Sequence, residues 1–458
     1  MKLIIAGMGV LFAVMASPLS GQQQLATLVF LGLIMGTLFF WQYRLAFAFG
    51  GIAVLLSTHL IDVPHIIEFA SLDIILFLMG MMTLIGYLEE KHFFEVLVAS
   101  VEDWVGKRAF LMMGILMFVS AVLAALVDEV TSILVMVTSL FHLLRRYKVN
   151  PIPFLLMIVF ATNIGSSATA VGNPIGVMIA LRAHFSFMDF LRWATPISIV
   201  VLMICIPLCQ FIFYRPIKEL ESKMIAQKED LHELDDLSYN PKDMKLCLIL
   251  FLGTILSLIG HVWIEQLLGL PKNTMLMATS LGAGSIAILL SGSQARTFFM
   301  EHVDWWTLSF FMLLFASVGT LSYVGVTERI SAGILHIAGN EITSIFLFFS
   351  TAIAVLTALM DNVLAVATFI PIIGDIKDAG IHVFPLWWGM LMSGTMFGNL
   401  TVIGSTANIV AMGQLEKEYG KHISFWEWFK PGLVVGVITW VVALLLLWIQ
   451  FPLMGVTS

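Results

Sequence analysis

Charge is scarce in this sequence. Of its 458 residues only 12% are Asp, Glu, Lys or Arg, while 59% are hydrophobic. The mean hydropathy of +0.98 lies far outside the range of soluble globular domains. The shortage excludes a water-soluble fold and implies an integral membrane protein. The few positive charges form no basic stripe, and the net charge is -7 at pH 7, which excludes a nucleic-acid partner. Cysteine is sparse as well. Cys205, Cys209 and Cys247 lie in or beside apolar runs without CxxC or metal-ligand spacing, and are read as packed core residues. No HExxH and no nucleophile-base pair falls inside an apolar run, and His142 and His261 stand alone in sequence. An intramembrane enzyme is thereby disfavoured, and no cofactor is implied.

What the chain has is apolar length. Runs fall at residues 3–17, 25–43, 45–60, 69–88, 191–214, 245–268, 274–292, 305–325 and 429–452, to be set against the ~20 residues needed to cross a bilayer core of about 30 Å. The run at 3–17 ends in small residues that suit a signal-peptide cleavage site. Retaining it as the first span closes the topology, and it is read that way. Four more stretches are interrupted. Residues 109–144 and 342–373 are apolar runs broken by acid at the centre, and 151–181 and 384–413 are broken by Gly, Asn, Ser and Thr. The expectation is an all-α polytopic membrane protein with about 11 transmembrane helices and two re-entrant hairpins in inverted-topology repeats.

The halves resemble each other in order and spacing. Gly86-Tyr87-Leu88-Glu89 recurs as Gly325-Val326-Thr327-Glu328, Asp128 as Asp361, Ala168 to Asn173 as Leu400 to Ser405, and Ser186 to Arg192 as Ser424 to Lys430, at offsets of 239, 233, 232 and 238. Four blocks in near-constant register make an internal repeat. The expected organisation is scaffold helices at 1–68, a first repeat at 69–214 (hairpin 109–144, broken helix 151–181), a linker at 215–245 carrying an interfacial amphipathic helix, scaffold helices at 246–304, and a second repeat at 305–458 (hairpin 342–373, broken helix 384–413). Lys107, Arg108, Arg145, Arg146 and Lys148 flank the first acidic run, whereas the second has no positive excess. The positive-inside rule then puts the N-terminus, Arg44 and the linker in the cytoplasm and makes the repeats inverted. Trp41, Trp104, Trp193, Trp305, Trp306, Trp387 and Trp388 near segment ends are expected to be interfacial anchors. The compact length suits a bacterial inner membrane.

An acid at the bilayer centre is costly unless paired, hydrated or protonated, so it is a functional hypothesis by default. Asp128, Glu129 and Asp361 are the acids at the hearts of long apolar runs. Each can hold a proton or a sodium ion, and Asp128 and Asp361 are the candidate sodium ligands. Neutral oxygens follow each tip: Thr131 and Ser132, then Asn163, Gly165, Ser166, Thr169, Gly172 and Asn173 in the first half; Asn362, then Asn399, Thr401, Gly404, Ser405, Thr406 and Asn408 in the second. Such oxygen ligands suit hard cations, and broken helices at the midplane are how secondary transporters build ion sites.

At these motifs the sequence resembles the ion transporter superfamily, in the branch of arsenite permeases, NhaD-type sodium/proton antiporters and the P-protein, related to divalent anion:sodium symporters and citrate transporter-like domains. The matching residues are Leu126-Val127-Asp128-Glu129-Val130-Thr131, Asn163-Ile164-Gly165 through Gly172-Asn173-Pro174, Leu359-Met360-Asp361-Asn362-Val363, and Gly398-Asn399 through Ala407-Asn408. The resemblance implies a homodimerising scaffold and a transport domain that alternates between inward-facing and outward-facing states. Two departures stand out: the family's tips usually read Asp-Asn where this chain has Asp128-Glu129, and its first loop usually reads Gly-Asp-Pro where this chain has Gly172-Asn173-Pro174. Sodium or lithium exchange for protons is the leading expectation. The alternatives are cation-coupled passage of a dicarboxylate or inorganic oxyanion, or of a neutral metalloid such as arsenite, and last a channel.

Overall fold

The computed structural model describes residues 14–15, 17–96, 108–226 and 240–455. The apolar run at 3–17 lies almost wholly outside these residues, as do Trp104, Lys107 and residues 227–239 of the linker. In chain order the helices are α1 (Gly21–Phe39), α2 (Arg44–Ser57), α3 (Val63–Phe69), α4 (Leu72–Glu90), α5 (Ala109–Leu126), α6 (Glu129–Tyr147), α7 (Ile152–Ser166), α8 (Pro174–Arg182), α9 (Phe187–Trp193), α10 (Thr195–Ile212), α11 (Tyr214–Ala226), α12 (Pro241–Leu268), α13 (Thr274–Leu290), α14 (Ala295–His302), α15 (Trp305–Tyr323), α16 (Val326–Ala338), α17 (Ile342–Leu359), α18 (Asn362–Asp378), α19 (Phe384–Met396), α20 (Thr406–Tyr419) and α21 (Phe425–Ile449).

Among the described residues eight helices are long and apolar enough to span a membrane, or ten when each of two bent pairs counts as one span. The bent pairs are α8 with α9 and α13 with the segment Gly292–His302, turned by 111° and 114°. The fold is an all-α polytopic membrane protein. The larger number read from sequence includes the run at 3–17 and also α2, which has 14 helical residues.

The acids that interrupt the apolar runs are helix starts. Asp128 caps α6 by accepting from the N–H of Val130 and Thr131, and Asp361 caps α18 by accepting from Val363. Two antiparallel pairs, α5–α6 and α17–α18, therefore meet at acidic tips, with their arms packed on one another. The Gly- and Asn-rich interruptions separate α7 from α8 and, through two short 3₁₀ turns at Phe397–Leu400 and Val402–Gly404, α19 from α20. The repeated Ser186 and Ser424 blocks are capping boxes: Ser186 accepts from Asp189 N–H and Asp189 from Ser186 N–H, and Ser424 and Glu427 do the same.

The helices fall into two groups. α4 lies along α13 and also touches α14 and α15, and α1 and α2 pack against α15. The hairpins, α7, α8, α10 and α19–α21 form the second group, in which α5 lies along α7, α17 along α19, and α8 packs on α18 and α19 while also touching α4. α11 is amphipathic and buries Ile217, Leu220 and Met224, packing on α5 and α6. The tryptophan expectation needs correction in part. Trp193, Trp387 and Trp388 are 6%, 8% and 0% exposed, and Trp388 stacks on Phe185 at 4.9 Å between ring centroids. They pack the junction of α9 with α19, where buried ring area outweighs interfacial placement. Trp306 is exposed, at 47%.

Candidate functional site

Helix starts converge on the middle of the second group. Asp128, Asn173, Asp361 and Ser405 are the N-caps of α6, α8, α18 and α20, and each accepts from first-turn N–H groups. Helix N-termini carry partial positive charge. The two aspartates are thus compensated by backbone, with Val130 and Thr131 N–H at 2.7 and 2.9 Å from Asp128 Oδ1 and Val363 N–H at 3.0 Å from Asp361 Oδ1. Thr406 Oγ1 adds a donor to Asp361 Oδ2 at 2.8 Å.

Glu129 joins the halves. It is 1% exposed and accepts from Ser166 Oγ at 3.1 Å, from the first broken helix. Ser405 Oγ, from the second, lies 3.4 Å from Glu129 Oε1 and 3.2 Å from Asn163 Oδ1, with one proton to give to either. Asn173 Nδ2 donates to Ser166 Oγ at 2.9 Å, so Asn173 is one hydroxyl away from Glu129. Asn163 Nδ2 donates to Asn399 Oδ1 at 2.7 Å and to Asn408 Oδ1 at 2.9 Å, and Asn408 Nδ2 donates to the carbonyls of Gly398 and Thr401. Three groups in this shell have no hydrogen-bond partner although buried: both polar atoms of Asn362, Nδ2 of Asn399 and Oγ of Ser132. An unpaired buried amide is costly, and the Asn362 side chain is a neighbour of Glu129.

The remaining residues singled out in the sequence shape the backbone. Thr169 Oγ1 donates to the Ala125 carbonyl and Thr401 Oγ1, its repeat mate, to the Ala358 carbonyl. Each fastens a loop to the last turn of the facing hairpin arm. Gly165 and Gly172 allow close approach: a Cβ would come within 2.1 Å of Ala121 O and 2.3 Å of Ser166 O, and at Gly404 within 2.7 Å of Gly398 O.

A cavity of about 470 Å³ reaches this centre. Asp128, Glu129, Thr131, Asn173 and Thr406 form one wall, and Glu89, Glu301, His302, Asp304 and Thr307 the other, with Phe77, Met81 and Phe311 between. Among the described residues no Lys or Arg is in the lining. Sequence reasoning did not assign Glu89, Glu301 or Asp304 to a site, because they sit at the ends of apolar runs. The repeat that pairs Glu89 with Glu328 was the available signal. Arg44 was also missed. It is 5% exposed, stacked over Trp41 at 4.2 Å, and donates to Thr307 Oγ1 at 2.6 Å, placing a cation behind the cavity wall. Cys205, Cys209 and Cys247 are free and buried.

The chain matches the citrate transporter family over residues 32–393 and 318–456. An uncharacterized transporter of Mycobacterium tuberculosis is 31% identical over 395 residues, 84% of this chain and 87% of its own. The 46 kDa membrane protein of Mycobacterium leprae is 31% identical over 394 residues, again 84% and 87%. The human P protein is 25% identical over 95% of this chain and 60% of its own length. Among solved structures, the YdaH transporter of Alcanivorax borkumensis has a similar fold, with a TM-score of 0.60, 14% identity, and coverage of 88% of this chain and 89% of that one.

Proposed function

The chain belongs to the citrate transporter family, a family of membrane transporters, and from that premise we propose that it exchanges sodium or lithium for protons by alternating access. Asp128, Glu129 and Asp361 hold one cation or the other, and competition for the same carboxylates couples the two fluxes. The observation that carries this reading is Glu129, bracketed by hydroxyls from both broken helices with the Asn362 side chain beside it. The approach to it is lined by four further carboxylates and, among the described residues, by no Lys or Arg. Such a lining concentrates cations and repels free anions.

A second reading, cation-coupled passage of a carboxylate anion, draws on the description of the family and on the helix N-termini at the centre. Against it, Asp128 and Asp361 already occupy the first-turn N–H groups that an anion would use. A neutral metalloid such as arsenite meets neither objection.

The experiment is internal pH in proteoliposomes after addition of sodium, lithium, potassium, arsenite or citrate. Sodium- or lithium-driven proton efflux, lost in Asp361→Asn, is the expected result. Proton movement with citrate or arsenite and none with sodium or lithium would replace exchange by the second reading or its metalloid variant.

A further inference from the structure

A second cavity, of about 460 Å³, lies at the other end of the same helices. α4 runs past both: Ser71 and Ile74 line this cavity, whereas Phe77, Met81 and Glu89 line the acidic one. α15 does likewise with Phe315 here and Phe311 there, and those two rings stack 6.0 Å apart. On α8 the division falls between Pro174 and Met178, about one helical turn. The septum between the cavities is therefore one layer of side chains thick. The acidic cavity reaches Glu129, and the second does not.

At the second cavity the hairpin-bearing group is tied to the other group by two polar contacts. Arg182, the last residue of α8, donates from Nη1 to Asp73 Oδ2 at 2.9 Å and from Nη2 to Asp73 Oδ1 at 3.1 Å. Asp73 belongs to the first turn of α4. Asn273, in the turn between α12 and α13, donates from Nδ2 to the Ala180 carbonyl of α8 at 3.1 Å. A two-pronged guanidinium-carboxylate pair fixes relative position as well as charge. Its side chains are 33% and 34% exposed, so water can take over both partners when the groups part.

We propose that Arg182 and Asp73 are the positioning residues that latch the second cavity shut against the site, so that the pair forms while the acidic cavity is open and breaks in every transport cycle. This rests on the alternating-access reading above. The latch sets the balance between the two states and touches no transported ion, so its loss changes which cavity communicates with the site and leaves the ligand set of Glu129 intact.

The test uses the full chain in nanodiscs with Cys205, Cys209 and Cys247 replaced by alanine. Single thiols introduced by Ile370→Cys, on the second cavity, and by Leu134→Cys, on the acidic one, are timed in their reaction with a charged maleimide. The expected result is that Arg182→Gln speeds labelling at position 370 by about fivefold, the scale of one partly exposed ion pair, and slows it at position 134. Asp73→Asn does the same from the other partner, and the charge-swapped Asp73→Arg with Arg182→Asp returns both rates toward the parent. Rates unchanged in both single variants, or rising together at both positions, overturn the latch. In the parent, sodium and pH shift the two rates in opposite directions. If that response is present and the variants have no effect, only the latch fails; if it is absent with sodium, lithium, citrate and arsenite alike, the transport reading fails and the latch with it.

Discussion

Glu129 sits where a lone carboxylate is hardest to keep. Among the described residues no Arg or Lys is within hydrogen-bonding reach of it, and its neighbours are two serine hydroxyls and the Asn362 amide. In the exchange proposed above, a bound proton or metal ion completes the site. Asn173 reaches the same Ser166 hydroxyl that Glu129 uses, which gives geometric content to the departures from the family pattern. The acid missing from position 173 and the acid gained at position 129 share a neighbour. Glu129→Asn is expected to abolish cation-driven proton movement in proteoliposomes, and adding Asn173→Asp to restore a substantial part of it. A double variant as inactive as the single one would show that the two positions do not exchange roles. Asp128, Glu129 and Asp361 stand out in the sequence because an acid within an apolar run is costly, although capping a helix start accounts for part of the placement of the two aspartates. Arg44 does not stand out, because a basic residue at the end of an apolar run reads as a topology marker; only the fold shows it buried over Trp41 and bonded to Thr307.

Among the elements, the broken helices depend on backbone approaching backbone. Gly165 lets α7 lie against Ala121 of α5, and any side chain there pushes apart the two helices that carry the first loop and the first tip. Gly165→Ala is expected to destabilise the purified protein by about 3 kcal/mol, read as a lower unfolding midpoint in detergent. Gly253→Ala, which has open space around it, should leave the midpoint unchanged or slightly raised. The hairpins and broken helices could be read in advance because their interruptions are chemical: Asp against Leu, Asn and Gly against Val. The bends between α8 and α9 and after α13 could not, since nothing in Arg182 to Ser186 or Leu290 to Gly292 departs from ordinary connector composition. The tryptophans of α9 and α19 misled for a related reason: a ring near a segment end suits either an interface or a packed junction, and tertiary contacts alone decide between them.

For the molecule as a whole, the proposed exchange makes ion identity depend on pH through the carboxylates that line the cavity. If one proton and one sodium ion compete for the site, the apparent sodium KM rises by about tenfold for each unit that pH falls below the site's own titration, with maximal rate little changed. Initial rates of sodium-driven proton efflux across a pH series check this, and a KM independent of pH would remove competition from the mechanism. Both groups of helices line the cavity, and the second carries both tips. The repeat supplies two copies of each tip and loop, and Thr169 with Ala125 and Thr401 with Ala358 use the same clasp twice. The copies are also interdependent. Asn163 gives its amide protons to Asn399 and Asn408, which follow it by 236 and 245 residues. At ~5 to 20 residues per second of synthesis, the first broken helix is therefore in existence for roughly 12 to 50 s before its partners are made. For that interval the Asn163 amide lacks the two partners it has in the complete chain. The polar junction between the two broken helices is therefore completed only after the last quarter of the chain has been made.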